Sequence, residues 1–276
     1  MQTKINNFTH FQFKITNSSI IKPKYYHTMN TLFVGRHLIA LESVDSTNVY
    51  ALALIEKNSC FEGTVIVAHD QKSGKGQRGN QWISSAGENL TISIVFKPLF
   101  LRAMQQFSMT KAIALGVRDF FCLQCKEEVK IKWPNDILIS NKKMAGILIE
   151  NILRGQSIHY SVAGLGINLN QTAFLDLPQA SSLKCITGVN YDLKVVMETV
   201  FSCIEKRYLQ LKTDDSKIHS EYLKNLFQFE QWTYYEIDSK HLEARIIDVT
   251  ENGKLKMEMK EGSIKEFDMK ELKFVY

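Results

Sequence analysis

Three stretches of the chain carry residue types suited to anions and acyl transfer. Gly74-Lys75-Gly76-Gln77-Arg78-Gly79 interleaves three glycines with two cations, so backbone amides can approach a phosphate or carboxylate while Lys75 and Arg78 neutralise it. Lys132-Trp133-Pro134-Asn135-Asp136 ends in a carboxylate at a turn-forming sequence, and Lys143-Met144-Ala145-Gly146 follows within a hairpin's length. That spacing puts an acid, Asp136, and a base, Lys143, near one loop. Further candidates are the hydroxyl and amide run Ser46-Thr47-Asn48, the loop amide Gln71, Trp82 just past the glycines, and Asn168 at the end of Gly164-Leu165-Gly166-Ile167-Asn168. Singly, each has a plain structural reading: helix caps, an exposed amide, a core tryptophan, a solvated lysine, a relaxed strand end.

The first stretch literally satisfies G-x-G-x-x-G, the phosphate loop of dinucleotide-binding folds. That motif needs a strand before it, a helix after it and an acidic residue about 20 positions on. A strand precedes, but the segment from Asn80 to Phe96 reads as a loop and another strand, and no acidic residue occurs from Asn89 to Arg118. The dinucleotide reading fails, and an anion-binding loop remains.

The elements that must position these residues belong to an α+β chain. β-rich runs are expected near His37 to Glu42, Thr64 to Ala68 and Leu90 to Phe96, then at Val129 to Trp133, Ile137 to Ser140, Met144 to Asn151 and Ile158 to Leu165. Asn141-Lys142 is the expected hairpin turn. Helices are expected after the caps at Asp45 to Asn48, within Leu101 to Gln124, and over Leu193 to Leu211 and Ser216 to Phe227. Short alternating runs around Glu251-Asn252-Gly253 then predict a small all-β domain. The resulting division is a polar tail over 1–30, a main domain over 31–228 and a β domain over 229–276.

In the same order, Glu42 to Asn48, Gln71 with the glycine-rich loop, Lys132 to Asp136, Lys143 to Gly146 and Gly164 to Asn168 resemble the catalytic domain of biotin protein ligases. The resemblance spans roughly residues 31–210, and the C-terminal segment is similar to that family's small SH3-like β domain. It implies a biotin/lipoate ligase-like mixed sheet with packed helices. It also implies an enzyme that uses ATP and Mg²⁺ to form biotinyl-5′-AMP, then passes biotin to a lysine of a biotin carboxyl carrier protein or domain of a biotin-dependent carboxylase.

By the same resemblance, Ser46, Thr47, Asn48 and Gln71 contact the biotin ring, whose ureido group must pair every donor and acceptor when buried. Lys75, Gly76, Gln77 and Arg78 hold the phosphate, Trp82 covers the nucleotide, Asn135 and Gly146 lie around the adenylate, and Asn168 reads the adenine edge. Lys143 is implied as the cation against the reacting carboxylate and α-phosphate. Asp136 binds Mg²⁺ or helps deprotonate the acceptor lysine, so Lys143, Asp136 and Lys75 form the implied catalytic set. Much of the family carries Arg at the positions of Lys75 and Gln77, so this loop is less cationic. Two rival readings are a lipoate protein ligase, whose dithiolane ring would not use the polar set at Ser46 to Asn48 and Gln71, and a non-catalytic carrier-protein binding module.

Composition bounds the function classes. A chain of 276 residues with 45% hydrophobic and 23% charged residues suffices for one large domain and a small one. Four of its five excess positive charges are Lys4, Lys14, Lys22 and Lys24, so the body offers no basic field for nucleic acid. With roughly 30 polar residues ahead of the core, a three-helix DNA-binding domain is not expected. No apolar run reaches membrane-spanning length. Five scattered cysteines point to a reducing, cytoplasmic compartment, and Cys122-x-x-Cys125, without a second metal-binding pair, reads as two inert thiols near a helix end. Residues 1–28 show no periodic apolar face, as expected of a disordered tail or of an extension upstream of a start at Met29. A chain starting at Met29 is expected to keep full activity and an unchanged melting temperature; a fall of several degrees would mean that 1–28 packs.

Overall fold

The computed structural model describes residues 30–175 and 177–275, so the expected tail lies outside the described residues apart from Asn30. The first strand-forming runs become β1 (Leu38–Val44), β2 (Val65–Gln71), β3 (Leu90–Phe96), β4 (Val129–Lys132), β5 (Asp136–Ile139), β6 (Lys142–Arg154) and β7 (Ser157–Ile167). They form one sheet in the order β1-β2-β3-β7-β6-β5-β4. Only β1 and β2 pair in parallel, and helix α1 (Thr47–Glu56) lies in the crossover between them.

Alternation along the strands gives the sheet two unlike faces. Ile92, Ile94 and Phe96, with Ala145, Ile147, Ala163, Leu165 and Ile167, point to one face. That face packs on α2 (Gln106–Gln124), which in turn packs on α4 (Leu193–Thr213) and α5 (Asp215–Lys224). Thirteen of the 19 residues of α2 are buried, among them every residue from Phe107 to Val117. On the other face Leu41, Ile66, Val95 and Val162 receive Ala51 and Ile55 of α1. Beyond α1 this second face carries small and polar residues, among them Ser93, Gly146, Gly164 and Gly166.

After α5 come β8 (Thr233–Ile237), β9 (Lys240–Val249), β10 (Leu255–Met259), β11 (Ile264–Phe267) and β12 (Leu272–Phe274), an antiparallel sheet in the order β11-β10-β9-β8-β12. Its buried Tyr235, Ile246, Leu255 and Met257 continue the main core, so the two sheets share one apolar interior. The expected α+β class with a C-terminal β unit is what the chain forms.

Two local expectations need correction. The β5–β6 turn falls one residue earlier than Asn141-Lys142: Ser140 and Asn141 have φ of 50° and 60°, and Lys142 already begins β6. A two-residue hairpin of this kind requires positive φ at both central residues, which Asn tolerates better than Lys. A five-residue helix, α3 (Leu183–Thr187), was not expected, because it is too short to display a helical period. The Ser182 side chain caps it by accepting from the Cys185 N–H, and Gly188 ends it at φ 73°.

The start of the described chain is held by one buried carboxylate. Glu205 of α4 accepts the backbone N–H groups of Leu32, Phe33 and Val34 at 2.6, 2.8 and 2.9 Å. Glu205→Ala strands those donors and is expected to cost about 3 kcal/mol, seen calorimetrically as a drop of several degrees in melting temperature. Glu205→Gln, which keeps one acceptor oxygen, should lose less.

Candidate functional site

The part of the second sheet face that α1 leaves uncovered is the floor of a cavity of about 380 Å³, a size suited to a small-molecule ligand. The start of α1, the glycine-rich loop and the last strand of the C-terminal sheet wall it in.

One end is polar and buried. Ser46 occupies the N-cap position of α1 and lines the cavity, but its side chain makes no capping bond. Thr47 and Asn48 lie in the first turn, each 3% exposed, and face a hydrogen-bond cluster instead. The Thr47 N–H and hydroxyl donate to Gln71 Oε1 at 2.9 and 3.2 Å. Ser93 Oγ lies 2.7 Å from Thr47 Oγ1 and 2.6 Å from Asn48 Oδ1, while Asn48 Nδ2 donates to Glu150 at 2.7 Å. The sequence reading missed Ser93 and Glu150. For Ser93 a signal existed: Thr91 and Ser93 alternate with isoleucines in β3, so two hydroxyls share the face opposite the core.

The other end carries charge. Lys143 Nζ sits 2.8 Å from Asp136 Oδ1. A bulge makes this pairing possible: Ile137 pairs with Ala145 but Leu138 pairs with Lys143, so Met144 is the extra residue. Met144 and Ala145 both turn into the core, and Lys143 is re-aimed to the cavity. The Lys132–Asp136 segment is tied down on several sides. Trp133 Nε1 donates to the Gly253 carbonyl of the C-terminal unit at 2.9 Å, Tyr222 of α5 donates to the Pro134 carbonyl at 3.2 Å, and Asn135 Nδ2 donates to the Ile147 carbonyl.

Between the ends lies the glycine-rich loop, which closes as a small hairpin on itself. Trp82 N–H bonds to the Gly74 carbonyl, Lys75 bridges Gln81, and Gly76 N–H bonds to the Asn80 carbonyl at 2.7 Å. No helix follows it; the next regular strand is β3. The Gly76 amide is therefore committed within the loop, which lines the cavity with Lys75, Gly76, Gln77, Asn80 and Gln81. Arg78 falls in the turn Gln77–Gly79. Trp82 lays its indole on the sheet, where a Cβ on Gly166 would come within 2.1 Å of the ring and one on Gly146 within 3.0 Å. The same ring centre is 5.6 Å from Lys143 Nζ, and the indole N–H is buried without a hydrogen-bond partner among the described residues.

Asn168 departs from its expected place. It is 3% exposed and does not line the cavity; its amide donates to the carbonyls of Ser181 and Lys143 at 2.9 and 3.4 Å, and its own N–H bonds to the Met144 carbonyl. Its side chain braces the strand under Lys143. The cavity also takes Met269, Leu272, Lys273 and Phe274 from the far end of the chain, for which no local sequence signal exists. Burial pushes the Cys122 and Cys125 thiols up, away from thiolate reactivity. Among the described residues no group of three His, Cys, Asp or Glu side chains is placed to hold a metal.

The comparisons agree with a mixed sheet backed by helices and a glycine-floored cavity: residues 40–168 match the biotin/lipoate A/B protein ligase family, so the chain carries a domain of that family. Among its relatives, the bifunctional ligase/repressor BirA of Bacillus subtilis is 33% identical over 193 residues, covering 67% of this chain and 58% of that one. The biotin--[acetyl-CoA-carboxylase] ligase of Paracoccus denitrificans is 36% identical over 131 residues, 47% of this chain and 53% of that one. The chain thus spans a little over half the length of these curated relatives. The biotin protein ligase from Aquifex aeolicus in complex with biotin and ATP superposes with a TM-score of 0.70 at 26% identity, over 86% of this chain and 98% of that one.

Gly166→Ala is expected to displace the indole, because a methyl group cannot share its position. The measurement is the intrinsic fluorescence spectrum, with a shift that vanishes in a Trp82→Ala background; an unchanged spectrum would mean the ring does not rest there.

Proposed function

We propose that the protein is an ATP-dependent biotin protein ligase that activates biotin as biotinyl-5′-AMP and transfers it to a lysine of a biotin carboxyl carrier protein or domain. The observation that carries this reading is one cavity with a buried hydroxyl and amide cluster at one end and the Lys143–Asp136 pair at the other. The ureido ring of biotin needs donors and acceptors when buried, which the cluster supplies. Its carboxylate then extends toward the charged end. The relatives' names and the biotin and ATP bound by the Aquifex protein support the same reading.

In the first step a biotin carboxylate oxygen attacks the α-phosphorus of ATP and pyrophosphate leaves. Two anions must meet, so cations are required, and Lys143 and Lys75 face the space where they would do so. In the second step the carrier's lysine amine attacks the acyl carbon, AMP leaves and the amine loses a proton. Asp136 is the carboxylate at hand to accept that proton, and meanwhile it fixes the Lys143 ammonium. Asp136 is the carboxylate on the cavity wall that would hold a Mg²⁺ ion shared with the phosphates of ATP. Bound there, Mg²⁺ supplies charge neutralisation.

The cytoplasm is the proposed compartment, since all five cysteines are free. No described helix is long and apolar enough to cross a membrane.

The decisive experiment incubates the pure protein with ATP, Mg²⁺, biotin and a carrier domain and follows the carrier's mass. Addition of one biotinyl group with release of AMP is the expected result; exchange of pyrophosphate with lipoate but not biotin would favour a lipoate ligase, and no AMP release would make the chain a binding module. Lys143→Ala is expected to slow biotin-dependent pyrophosphate exchange by about 10²- to 10³-fold with the fold intact, as loss of one preorganised contact to the transition state does elsewhere. Wild-type exchange in that variant would remove Lys143 from the catalytic set.

A further inference from the structure

The polar end of the cavity is a hydrogen-bond chain whose two termini are fixed in sense. At one terminus Glu150 accepts from Asn48 Nδ2 at 2.7 Å, and a carboxylate offers acceptors only. The Leu148 carbonyl, 3.4 Å from the same nitrogen, favours the same orientation. Asn48 must then turn Oδ1 toward Ser93. The single hydroxyl proton of Ser93 goes to that oxygen, 2.6 Å away, which leaves the Ser93 lone pairs facing Thr47 Oγ1 at 2.7 Å. At the other terminus the Thr47 backbone N–H, a donor only, holds Gln71 Oε1 at 2.9 Å.

Two consequences follow for whatever enters. Both neighbours of the Thr47 hydroxyl, Ser93 Oγ and Gln71 Oε1, are acceptors, so the hydroxyl spends its proton inside the protein and offers the cavity lone pairs. Gln71, held through its oxygen, offers its amide nitrogen, which lies over Gly74. A site with one fixed acceptor and one fixed donor suits a ring that carries both N–H and C=O.

We propose that Glu150 is a positioning residue for the ligand ring: it does not line the cavity, but through Asn48 and Ser93 it sets the Thr47 hydroxyl as acceptor and leaves the Gln71 amide as donor toward a ureido group. Its neighbours are arranged to keep it so. Glu150 stands on β6 on the same sheet face as Gly164 of β7, and a Cβ on Gly164 would lie 2.3 Å from Asn48 Oδ1, so only glycine there lets the amide reach Ser93. The inference rests on the biotin reading above.

The test compares wild type, Glu150→Gln, Glu150→Met and Ser93→Ala by pyrophosphate exchange with biotin and with 2-iminobiotin, whose protonated imino nitrogen donates where the biotin carbonyl accepts. Glu150→Met, which removes the acceptor, is expected to raise KM for biotin about tenfold, leave KM for ATP unchanged and shrink the preference for biotin over 2-iminobiotin. Glu150→Gln, which keeps an acceptor oxygen but admits both amide orientations, should fall between. Ser93→Ala should give the Met signature independently, and melting curves of each variant show that the fold is retained. Unchanged biotin KM and preference in both Glu150→Met and Ser93→Ala, or equal rises in KM for biotin and ATP, would overturn the proposal. Absence of biotin-dependent exchange in the wild type would instead overturn the function on which it rests, so the two failures are told apart by that control.

Discussion

Strand register places Thr91, Gly166, Gly146 and Asp136 in one row across β3, β7, β6 and β5, with Ser93, Gly164 and Leu148 in the next. Each row is polar toward one edge and bare of side chain at its glycines. Such a surface would be poor packing for an apolar helix face, and α1 meets it with its polar first turn, Thr47 and Asn48. Because the glycines add nothing above the backbone, the Trp82 indole and the Asn48 amide can lie directly on the sheet. The site therefore follows from sheet register. A slip of one residue in β7 would turn Gly164 and Gly166 to the core and Ala163 and Leu165 to the cavity, emptying the core and filling the site at once.

The β5–β6 bulge has the same dual character. Strict alternation along β6 would bury Lys143 if Ala145 stayed in the core. The inserted residue lets Met144 and Ala145 both remain buried while Lys143 emerges beside Asp136. The adjoining Lys132–Asp136 segment is held by α5 through Tyr222 and by the C-terminal unit through Gly253, so packing of the small β sheet bears directly on where the carboxylate stands. The C-terminal unit is in this sense part of the site, apart from the side chains it contributes to the wall.

Much of this was legible in the sequence, and the reasons differ by element. Leu90–Phe96 was found to the residue because a short run rich in β-branched residues between polar flanks has one good interpretation. The grouping of Ser46–Asn48, Gln71, the glycine-rich loop, Asp136 and Lys143 came from motif order, which carries information that no single segment holds. What escaped was set by long-range geometry. Glu150 sits in an apolar strand as a lone carboxylate, and nothing local says that its partner lies 102 positions away at Asn48. The residues 269–274 enter the cavity only because the second sheet folds back on the first. The motif drew attention to Asn168, but nothing local says that its amide ties the strand under Lys143 to the Ser181 carbonyl.

The two ends of the cavity divide the work by how firmly they are held. At the ring end the chain from Glu150 to Gln71 is hydrogen-bonded before any ligand arrives and leaves the Gln71 amide nitrogen for the ligand, which is how a site rejects a molecule lacking the matching groups. At the charged end the ion pair is only partly buried, with Lys143 and Asp136 side chains 36% and 22% exposed. A pair so exposed is worth about 1 kcal/mol or less, whereas a fully buried one is strongly destabilising to break. Lys143 can therefore exchange Asp136 for an incoming carboxylate or phosphate at little cost, and Asp136 is freed for the amine that follows. Burying this pair as deeply as the ring end would raise the cost of that exchange, so its partial exposure is part of how the site can act.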